Sequence, residues 1–225
     1  MVEILFEKGK ARELQESDIS NLTEMCDDKN ILRFFFSSGT RNIELYWHAQ
    51  LSEQSRWNGR MSRDRSRYVL PIEHDETVKG CLILDVTANE RKNDWPNYTV
   101  RRKIVPPGWG WVQPNHRSQC LHQIVMVKEP DGPLIERSYF IGEKYRRNGL
   151  ASTVGRSALT FSTKELGAKR VIAKCLESNE AVRTLLEKQG YQVENKGIAG
   201  SGPSLGERIL TYRLFPSVFD EMFVL

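Results

Sequence analysis

The residues best suited to bind a ligand are those of 146–151, RRNGLA, which lie between a strand-like and a helix-like run. Gly149 lets the backbone turn without a Cβ in the way, and Ala151 keeps the next position small. Amide N–H groups then converge at a helix N-terminus, where the helix dipole favours an anion. Arg146 and Arg147 add positive charge. The stretch therefore predicts a pyrophosphate site, and the alternative is a surface turn that contains a glycine.

Other ligand-binding and catalytic motifs are excluded by their spacing. No G-K-[ST] follows the glycine, so the stretch is not a Walker A loop, and it lacks the G-x-G-x-x-G of a dinucleotide site. His116, Cys120 and His122 lie close together, but they lack a fourth ligand and standard zinc spacing. The sequence therefore predicts no metal site. Ser152 and Ser157 stand outside any G-x-S-x-G elbow, so a hydrolase triad is unsupported.

Strands and helices must position the 146–151 stretch. Strands are predicted over residues 67–73, 79–86, 121–128, 134–141, 170–174, 191–194 and 208–215, and helices begin near Ser17, Thr40, Leu150 and Asn179. Residues 74–77 join the first two strands as a hairpin, and residues 130–132 join the next two. The result is one α+β domain over residues 1–225, a mixed sheet flanked by helices, with an irregular insertion at 88–118.

Residues 134–193 resemble the GNAT superfamily of N-acetyltransferases. The family carries [QR]-x-x-G-x-[GA] after an aromatic strand, and then an asparagine that opens a helix ending in K-x-G-[FY]. The residues that meet these motifs are Arg146, Gly149, Ala151, Tyr139, Phe140, Ile141, Asn179, Lys188, Gly190 and Tyr191. The E-x-x-Y spacing of Glu136 and Tyr139 is closest to the Rim-type subgroup, the ribosomal-protein N-terminal acetyltransferases and their relatives. The resemblance does not extend to residues 88–118.

The resemblance implies a GNAT-like fold and acetyl-CoA as cosubstrate. Two parallel central strands splay apart, and the pantetheine arm lies between them. Backbone groups of Phe140 and Ile141 would bond to that arm, and Asn179 would touch the coenzyme near its sulfur. The residues that would hold the pyrophosphate are Arg146, Arg147, Asn148, Gly149, Leu150, Ala151 and Ser152. An amine then attacks the thioester directly, and a backbone amide polarises its carbonyl.

Acid–base catalysis is assigned to Glu136 and Tyr139. A lysine-like amine has a pKa of ~10.4 and attacks only when neutral, so a base assists. Glu136 is the candidate base, alone or through water, and a strand glutamate that only faces solvent is the alternative. Many relatives protonate the thiolate with a tyrosine at the position of Leu186. Here a thiolate of pKa ~8.5 either leaves without strong help, or Tyr139, Tyr145 or a residue of the insertion takes that role. The missing acid also suggests a rival function, a non-catalytic acyl-CoA-binding or regulatory module.

The bulk composition narrows the partners and the setting. A net charge of +4 and a pI of about 8.9 suit a polyanion such as coenzyme A, an acidic protein or RNA. No run approaches the ~20 apolar residues of a membrane span, and the N-terminus lacks the pattern of a signal peptide. Four widely separated cysteines favour a reduced, cytoplasmic setting.

The acceptor is expected to be chosen outside the coenzyme motif, by residues 41–67 and 88–118. The first segment contains a run of arginines: Arg56, Arg60, Arg63, Arg65 and Arg67. Such a run is either a solvated face or a site for an acidic peptide or another anionic acceptor, and a small-molecule amine also remains open. Trp109 and Trp111 either line the acceptor pocket or pin their loop to the core. An RNA-binding protein is the second rival, but no RRM, KH or OB motif is present, so no nucleic-acid partner is expected.

Overall fold

Helices and strands occupy most of the part of the chain that the computed structural model describes, which is residues 2–35, 42–56, 65–87, 98–104, 122–128, 132–200 and 202–214. Its strands are β1 (Glu3–Phe6), β2 (Gly9–Arg12), β3 (Arg67–His74), β4 (Thr77–Thr87), β5 (Tyr98–Ile104), β6 (His122–Lys128), β7 (Leu134–Ile141), β8 (Arg170–Leu176), β9 (Gln192–Ile198) and β10 (Arg208–Leu214). Its helices are α1 (Ile19–Met25), α2 (Lys29–Phe35), α3 (Ile43–Ser55), α4 (Leu150–Lys164) and α5 (Glu180–Lys188).

Eight of the described strands form one mixed sheet in the order β1-β2-β3-β4-β7-β8-β10-β9. Its neighbouring strands are antiparallel except for β7 and β8, which run parallel. The predicted hairpin of β3 and β4 is confirmed, and Asp75 and Glu76 make its turn with φ of 48° and 60°. Two successive left-handed residues match the twist of the strands, which is why such turns close two-residue hairpins. The mixed α+β architecture expected from the sequence is confirmed.

Helices cover both faces of this sheet and build two cores. On the first face, α4 and α5 contribute Val154, Leu159 and Leu186 to a core that includes Ile135 and Ile141 of β7. On the second face, α1, α2 and α3 pack over β3, β4 and β7, with Trp47 and Phe140 at the centre. Because side chains alternate along a strand, odd-numbered residues of β7 face α4 and α5, and even-numbered residues face α1–α3. The two faces are called the α4–α5 face and the α1–α3 face below.

The two parallel strands separate after a short paired stretch. Their register runs from Leu134–Arg170 to Glu136–Ile172 and stops there, although β7 continues to Ile141 and β8 to Leu176. Among the described strands, none pairs with the β8-facing edge of β7 beyond Glu136. The unpaired backbone of β7 therefore lines an opening, and the splayed sheet that the resemblance implies is confirmed.

Residues 90–131 form a second compact unit, separate from residues 1–89 and 132–225. Its described strands, β5 and β6, pair with each other. Two predictions are therefore wrong: residues 88–118 are not wholly irregular, and residues 121–128 do not form a hairpin with 134–141. Turn residues reverse the chain but do not select the partner strand. β7 takes a central position between β4 and β8 because its alternating residues are buried on both faces. The assignment of residues 1–225 to a single domain stays a prediction.

The N-terminal helices differ from the sequence prediction in detail. A 3₁₀ turn over Glu16–Asp18 precedes α1, and Gln15 and Asp18 make its capping box where Ser17 was expected to cap. Asn42 caps α3 by accepting the amide N–H of Leu45 at 2.9 Å, and Thr40 lies outside the described residues. Helix α2 was not predicted, because seven residues offer too few turns for an apolar period to stand out.

Candidate active site

The loop between β7 and α4 has the backbone shape of an anion site. Gly149 is the N-cap of α4 with φ of 78°, and a Cβ built on it would meet nothing within 4 Å. Arg147 is also left-handed, with φ of 66°, and its side chain is exposed. Leading N–H groups of a helix lack intrahelical acceptors. The amide of Ser152 already donates to the Gly149 carbonyl at 2.9 Å, so the donors left for an anion precede Ser152. Leu150 is buried beneath the turn and Ala151 packs partly against the same core.

Arg146 braces the loop from inside. Its Nε donates to the carbonyl of Ile141 at 2.9 Å, and its guanidinium also pairs with the carboxylate of Asp28, between α1 and α2. Burial acts to raise the pKa of Asp28, but hydrogen bonds from the backbone N–H of Asn30 and from Arg146 outweigh it and hold that pKa below its usual value. The charge presented to solvent beside the loop is therefore that of Arg147, while Arg146 fixes the loop to the N-terminal helices.

Phe140 and Ile141, at the end of β7, have both of their side chains buried in the cores. Phe140 is 6% exposed and packs against Trp47 on the α1–α3 face, with ring centroids 6.4 Å apart. Ile141 is 6% exposed and belongs to the core of the α4–α5 face. The structure thus leaves only main-chain groups of these residues for a ligand in the opening. The backbone contacts to the coenzyme that the sequence analysis assigned to these two residues stay a prediction.

Asn179 stands where β8 turns into α5. It is the N-cap of α5, and its side-chain oxygen accepts the amide N–H of Val182 at 3.3 Å. Its backbone N–H donates to the carbonyl of Leu176 at 2.9 Å, which closes the turn after β8. The asparagine therefore fixes the start of α5 at the far edge of the opening, half-buried and within the turn that borders it.

Tyr139 lies on the α4–α5 face beside a buried guanidinium. Arg137 is 1% exposed, and its Cζ is 5.4 Å from the ring centroid of Tyr139 and 5.1 Å from that of Tyr191. Burial raises the pKa of Tyr139, and the charge of Arg137 opposes that shift only partly. Tyr139 therefore remains protonated around neutral pH and can act as a hydrogen-bond donor.

Arg137 connects three elements of the coenzyme half and was missed by sequence reasoning. It donates to the carbonyl of Gly155 at 2.5 Å and to Oε1 of Gln189 at 2.8 Å. The amide of Gln189 in turn donates to the carbonyl of Ser152 at 3.4 Å, in the first turn of α4. β7, α4 and the end of α5 are thus tied together beneath the loop. The one sequence signal was an arginine at an inward-facing position of an apolar strand.

Glu136 lies on the opposite, α1–α3 face, at the last position of β7 that pairs with β8. Its Oε2 accepts from Nζ of Lys174 at 2.7 Å, and its side chain is 29% exposed. Its register partner on β4 is Asp85, which pairs with Arg67 of β3 at 2.5 Å. The carboxylate is thus partly exposed and paired with a lysine, and both the role of base and the alternative of a strand glutamate that faces solvent stay predictions. Glu136 and Tyr139, the two catalytic candidates, stand on opposite faces of the same strand.

The arginine run divides among different roles. Arg65 is 1% exposed, pairs with Glu13 at 2.8 Å and stacks over Tyr68. It is therefore a buried structural residue, and both alternatives from the sequence are wrong for it, because the chain folds it back against β2–β3. Arg56 is exposed. Arg67 pairs with Asp85 of β4. Arg60 and Arg63 lie outside the described residues, as do Trp109 and Trp111.

Two other kinds of feature are absent from the described residues. No group of three or more histidine, cysteine or acidic side chains in this part of the chain could hold a metal ion. No helix among the described residues is long and apolar enough to cross a membrane.

Comparisons with known proteins agree with this geometry. The profile described as the acetyltransferase (GNAT) domain matches residues 11–192. No curated protein matches the chain. An acetyltransferase (GNAT family) from Bacillus anthracis is 13% identical, with a TM-score of 0.62 over 96% of this chain and 99% of that one. RimJ from Mycobacterium smegmatis, in complex with CoA-disulfide, is 12% identical, with a TM-score of 0.63 over 93% and 83%. A ribosomal-protein-S5-alanine acetyltransferase from Vibrio fischeri is 11% identical, with a TM-score of 0.63 over 96% and 97%. At these identities the likeness concerns the fold.

Proposed function

The chain belongs to the acetyltransferase (GNAT) family, and we propose that this acetyl-CoA-dependent N-acetyltransferase modifies an amine of a protein or peptide at the opening between β7 and β8. Proteins of similar fold include a ribosomal-protein-S5-alanine acetyltransferase and a spermidine N-acetyltransferase, so a small-molecule amine is the second candidate acceptor. The observation that carries the proposal is the separation of the two parallel strands after Glu136. The loop that follows β7, whose backbone can bind an anion, lies at one end of this opening.

The coenzyme is held mainly by backbone groups. The main chain around Phe140 and Ile141 bonds to the pantetheine arm like an added strand, since no described strand pairs with that edge of β7 beyond Glu136. The loop from Arg146 to Ala151 receives the pyrophosphate, where the start of α4 and the charge of Arg147 favour an anion. Asn179 borders the sulfur end of the coenzyme.

Glu136 serves as the base for the acceptor amine. A lysine-like ammonium has a pKa of ~10.4 and an α-ammonium ~7.7–8.0, so each must lose a proton before its nitrogen attacks. The distance of 2.7 Å between Glu136 and the Lys174 ammonium supports this role, because a carboxylate in this position holds an ammonium in hydrogen-bond contact. The neutral amine then attacks the thioester carbonyl carbon, and the carbon–sulfur bond breaks.

Tyr139 assists the departing thiolate from the α4–α5 face. A buried tyrosine with a raised pKa is a weaker acid than a thiol of pKa ~8.5. It therefore stabilises the thiolate by donating a hydrogen bond, and solvent supplies the proton. This arrangement accounts for a site in which Leu186, buried at 2% exposure, occupies the position of the tyrosine found in many relatives.

The acceptor is selected by the segments 41–67 and 88–118, and Arg60, Arg63, Trp109 and Trp111 are the residues assigned to it. This part of the proposal follows from the sequence alone. We further place the protein in a reducing, cytoplasmic compartment, because the three described cysteines are buried free thiols. Burial raises the pKa of Cys26 to about 12 and that of Cys175 to about 11, which keeps both unreactive.

The Glu136→Gln variant tests the proposal against a coenzyme-binding module without catalysis. Turnover of acetyl-CoA is measured with a panel of N-terminal peptides, lysine peptides and spermidine, and coenzyme affinity by calorimetry. Glu136→Gln is expected to lower kcat by about 10²–10⁴-fold with CoA affinity retained. Glu177→Gln is the matched control, since Glu177 pairs only with surface cations in the described structure. A coenzyme-binding module without catalysis would bind CoA but would show no turnover of acetyl-CoA with any amine of the panel.

A further inference from the structure

Lys174 spans the mouth of the opening. It extends from β8, and its Nζ is 2.7 Å from Oε2 of Glu136 on β7. Val171, Ala173 and Cys175 belong to the core of the α4–α5 face, so Lys174 points to the α1–α3 face, as Glu136 does. The strands no longer pair at its level, because their register ends at Glu136–Ile172. The side chain therefore crosses the gap between two separated strands.

The contact between Lys174 and Glu136 contributes little to stability. The side chains of Lys174 and Glu136 are 48% and 29% exposed, and exposed ion pairs contribute about 0–1 kcal/mol. An acceptor amine, in contrast, must bring its nitrogen to about 2.6–3.2 Å from the base. The Nζ of Lys174 already lies at such a distance from Oε2 of Glu136, 2.7 Å.

We propose that Lys174 is an internal acceptor, whose ε-amine is acetylated by acetyl-CoA bound to the same molecule. The inference rests on the proposed function, since it uses Glu136 as base. Glu136 takes a proton from the ammonium, and the neutral nitrogen attacks the thioester carbonyl carbon. The nitrogen–carbon bond forms, the carbon–sulfur bond breaks, and the electron pair leaves with the sulfur. The second proton from nitrogen passes to the thiolate through solvent, which gives N-acetyl-lysine and CoA.

Acetylation changes the site that performs it. The amide product carries no charge, so the ion pair with Glu136 is lost and the carboxylate becomes available to an external ammonium. Before acetylation, an external amine must displace Lys174 from Glu136. Lys174 thus occupies the acceptor position until it is acetylated, and its acetylation frees Glu136 for an external amine.

The test uses the full chain with acetyl-CoA and no added amine, followed by intact mass and peptide mapping. Lys196 is the internal control, since it is 70% exposed on the edge strand β9 and lies 3.8 Å from Glu177. Lys174 is expected to be acetylated about 10²-fold faster than Lys196, the lower end of the contribution of a positioned base. The rate constant per molecule should not depend on protein concentration, because the reaction is intramolecular.

Two variants isolate the chemistry. Lys174→Arg keeps the charge and should abolish the single fast acetylation, and Glu136→Gln should slow modification of Lys174 but not of Lys196. Equal rates at the two lysines, or a rate proportional to protein concentration, would overturn the inference. Turnover of external amines is measured in parallel. Amine turnover with Lys174 unmodified overturns the internal acceptor alone, whereas fast acetylation of Lys174 without amine turnover overturns only the proposed external acceptor.

Discussion

Replacing Gly155 with alanine is expected to destabilise this protein, although the same change inside most helices is stabilising. Gly155 lies in the second turn of α4, where a Cβ would stand 2.5 Å from Nε2 and 3.1 Å from Oε1 of Gln189. The amide can rotate away, so the collision itself costs little. Rotation breaks the bond that Gln189 makes to the buried guanidinium of Arg137 at 2.8 Å.

The magnitude follows from two opposed contributions. A hydrogen bond to a charged group contributes about 1.5–3 kcal/mol, whereas alanine is favoured over glycine in a helix interior by about 1 kcal/mol. Gly155→Ala should therefore lower the free energy of unfolding by about 0.5–2 kcal/mol. For a chain of this size, each kcal/mol shifts Tm by about 2–4 °C, so Tm should fall by about 1–8 °C.

Thermal and urea unfolding of single and double variants provide the assay. Gly197→Ala is the matched control, because a Cβ there meets nothing within 4 Å, and its Tm should stay the same or rise. In a Gln189→Ala background the bond is already lost and the space is open, so adding Gly155→Ala should raise stability by about 1 kcal/mol. An increase in Tm for Gly155→Ala in the wild-type background, or the same change in both backgrounds, would refute the reasoning.

Two further predictions concern the loop. Gly149→Val should weaken CoA binding about 5–30-fold, because a left-handed non-glycine residue costs about 1–2 kcal/mol. The control is Gly167→Val, since Gly167 also has a positive φ, 67°, but lies at the other end of α4. Calorimetry should give an unchanged CoA affinity for this control. If a folded Gly149→Val protein binds CoA with wild-type affinity, the assignment of this loop as the phosphate site is wrong. For Asp28, whose pKa lies below its usual value, the stabilising contribution is present above about pH 4 and lost as pH falls through the folded pKa. Urea unfolding should therefore give a stability difference between wild type and Asp28→Asn that shrinks on acidification, and a difference constant with pH would contradict the assigned role of Asp28.

Local physics made the coenzyme half of the fold predictable from the sequence. The left-handed turn at Gly149, the helix that follows it and the asparagine cap at Asn179 depend on residues within a few positions of one another. The same holds for the β3–β4 hairpin, whose turn joins strands adjacent in the chain. Such features need no knowledge of distant partners, and the structure contains each of them.

Pairing between strands was less predictable, because a strand carries no local mark of its neighbour. Residues 122–128 pair with 98–104, whereas β7 inserts between β4 and β8. The sequence pattern predicted strands over both residues 121–128 and residues 134–141. Their partners depend on which surfaces become buried together across the whole chain.

The sequence by itself determined the family, the loop shape and the candidate carboxylate, because glycine conformation, capping and strand alternation act over short distances. Only the tertiary structure decided how the charges are partnered. Arg146 meets Asp28 from 118 residues away, Arg137 meets Gln189 from 52 residues away, and Lys174 meets Glu136 from 38 residues away. A charged side chain pairs with the group that the fold places within about 3 Å of it, and the spacing of residues along the chain does not indicate which group that is.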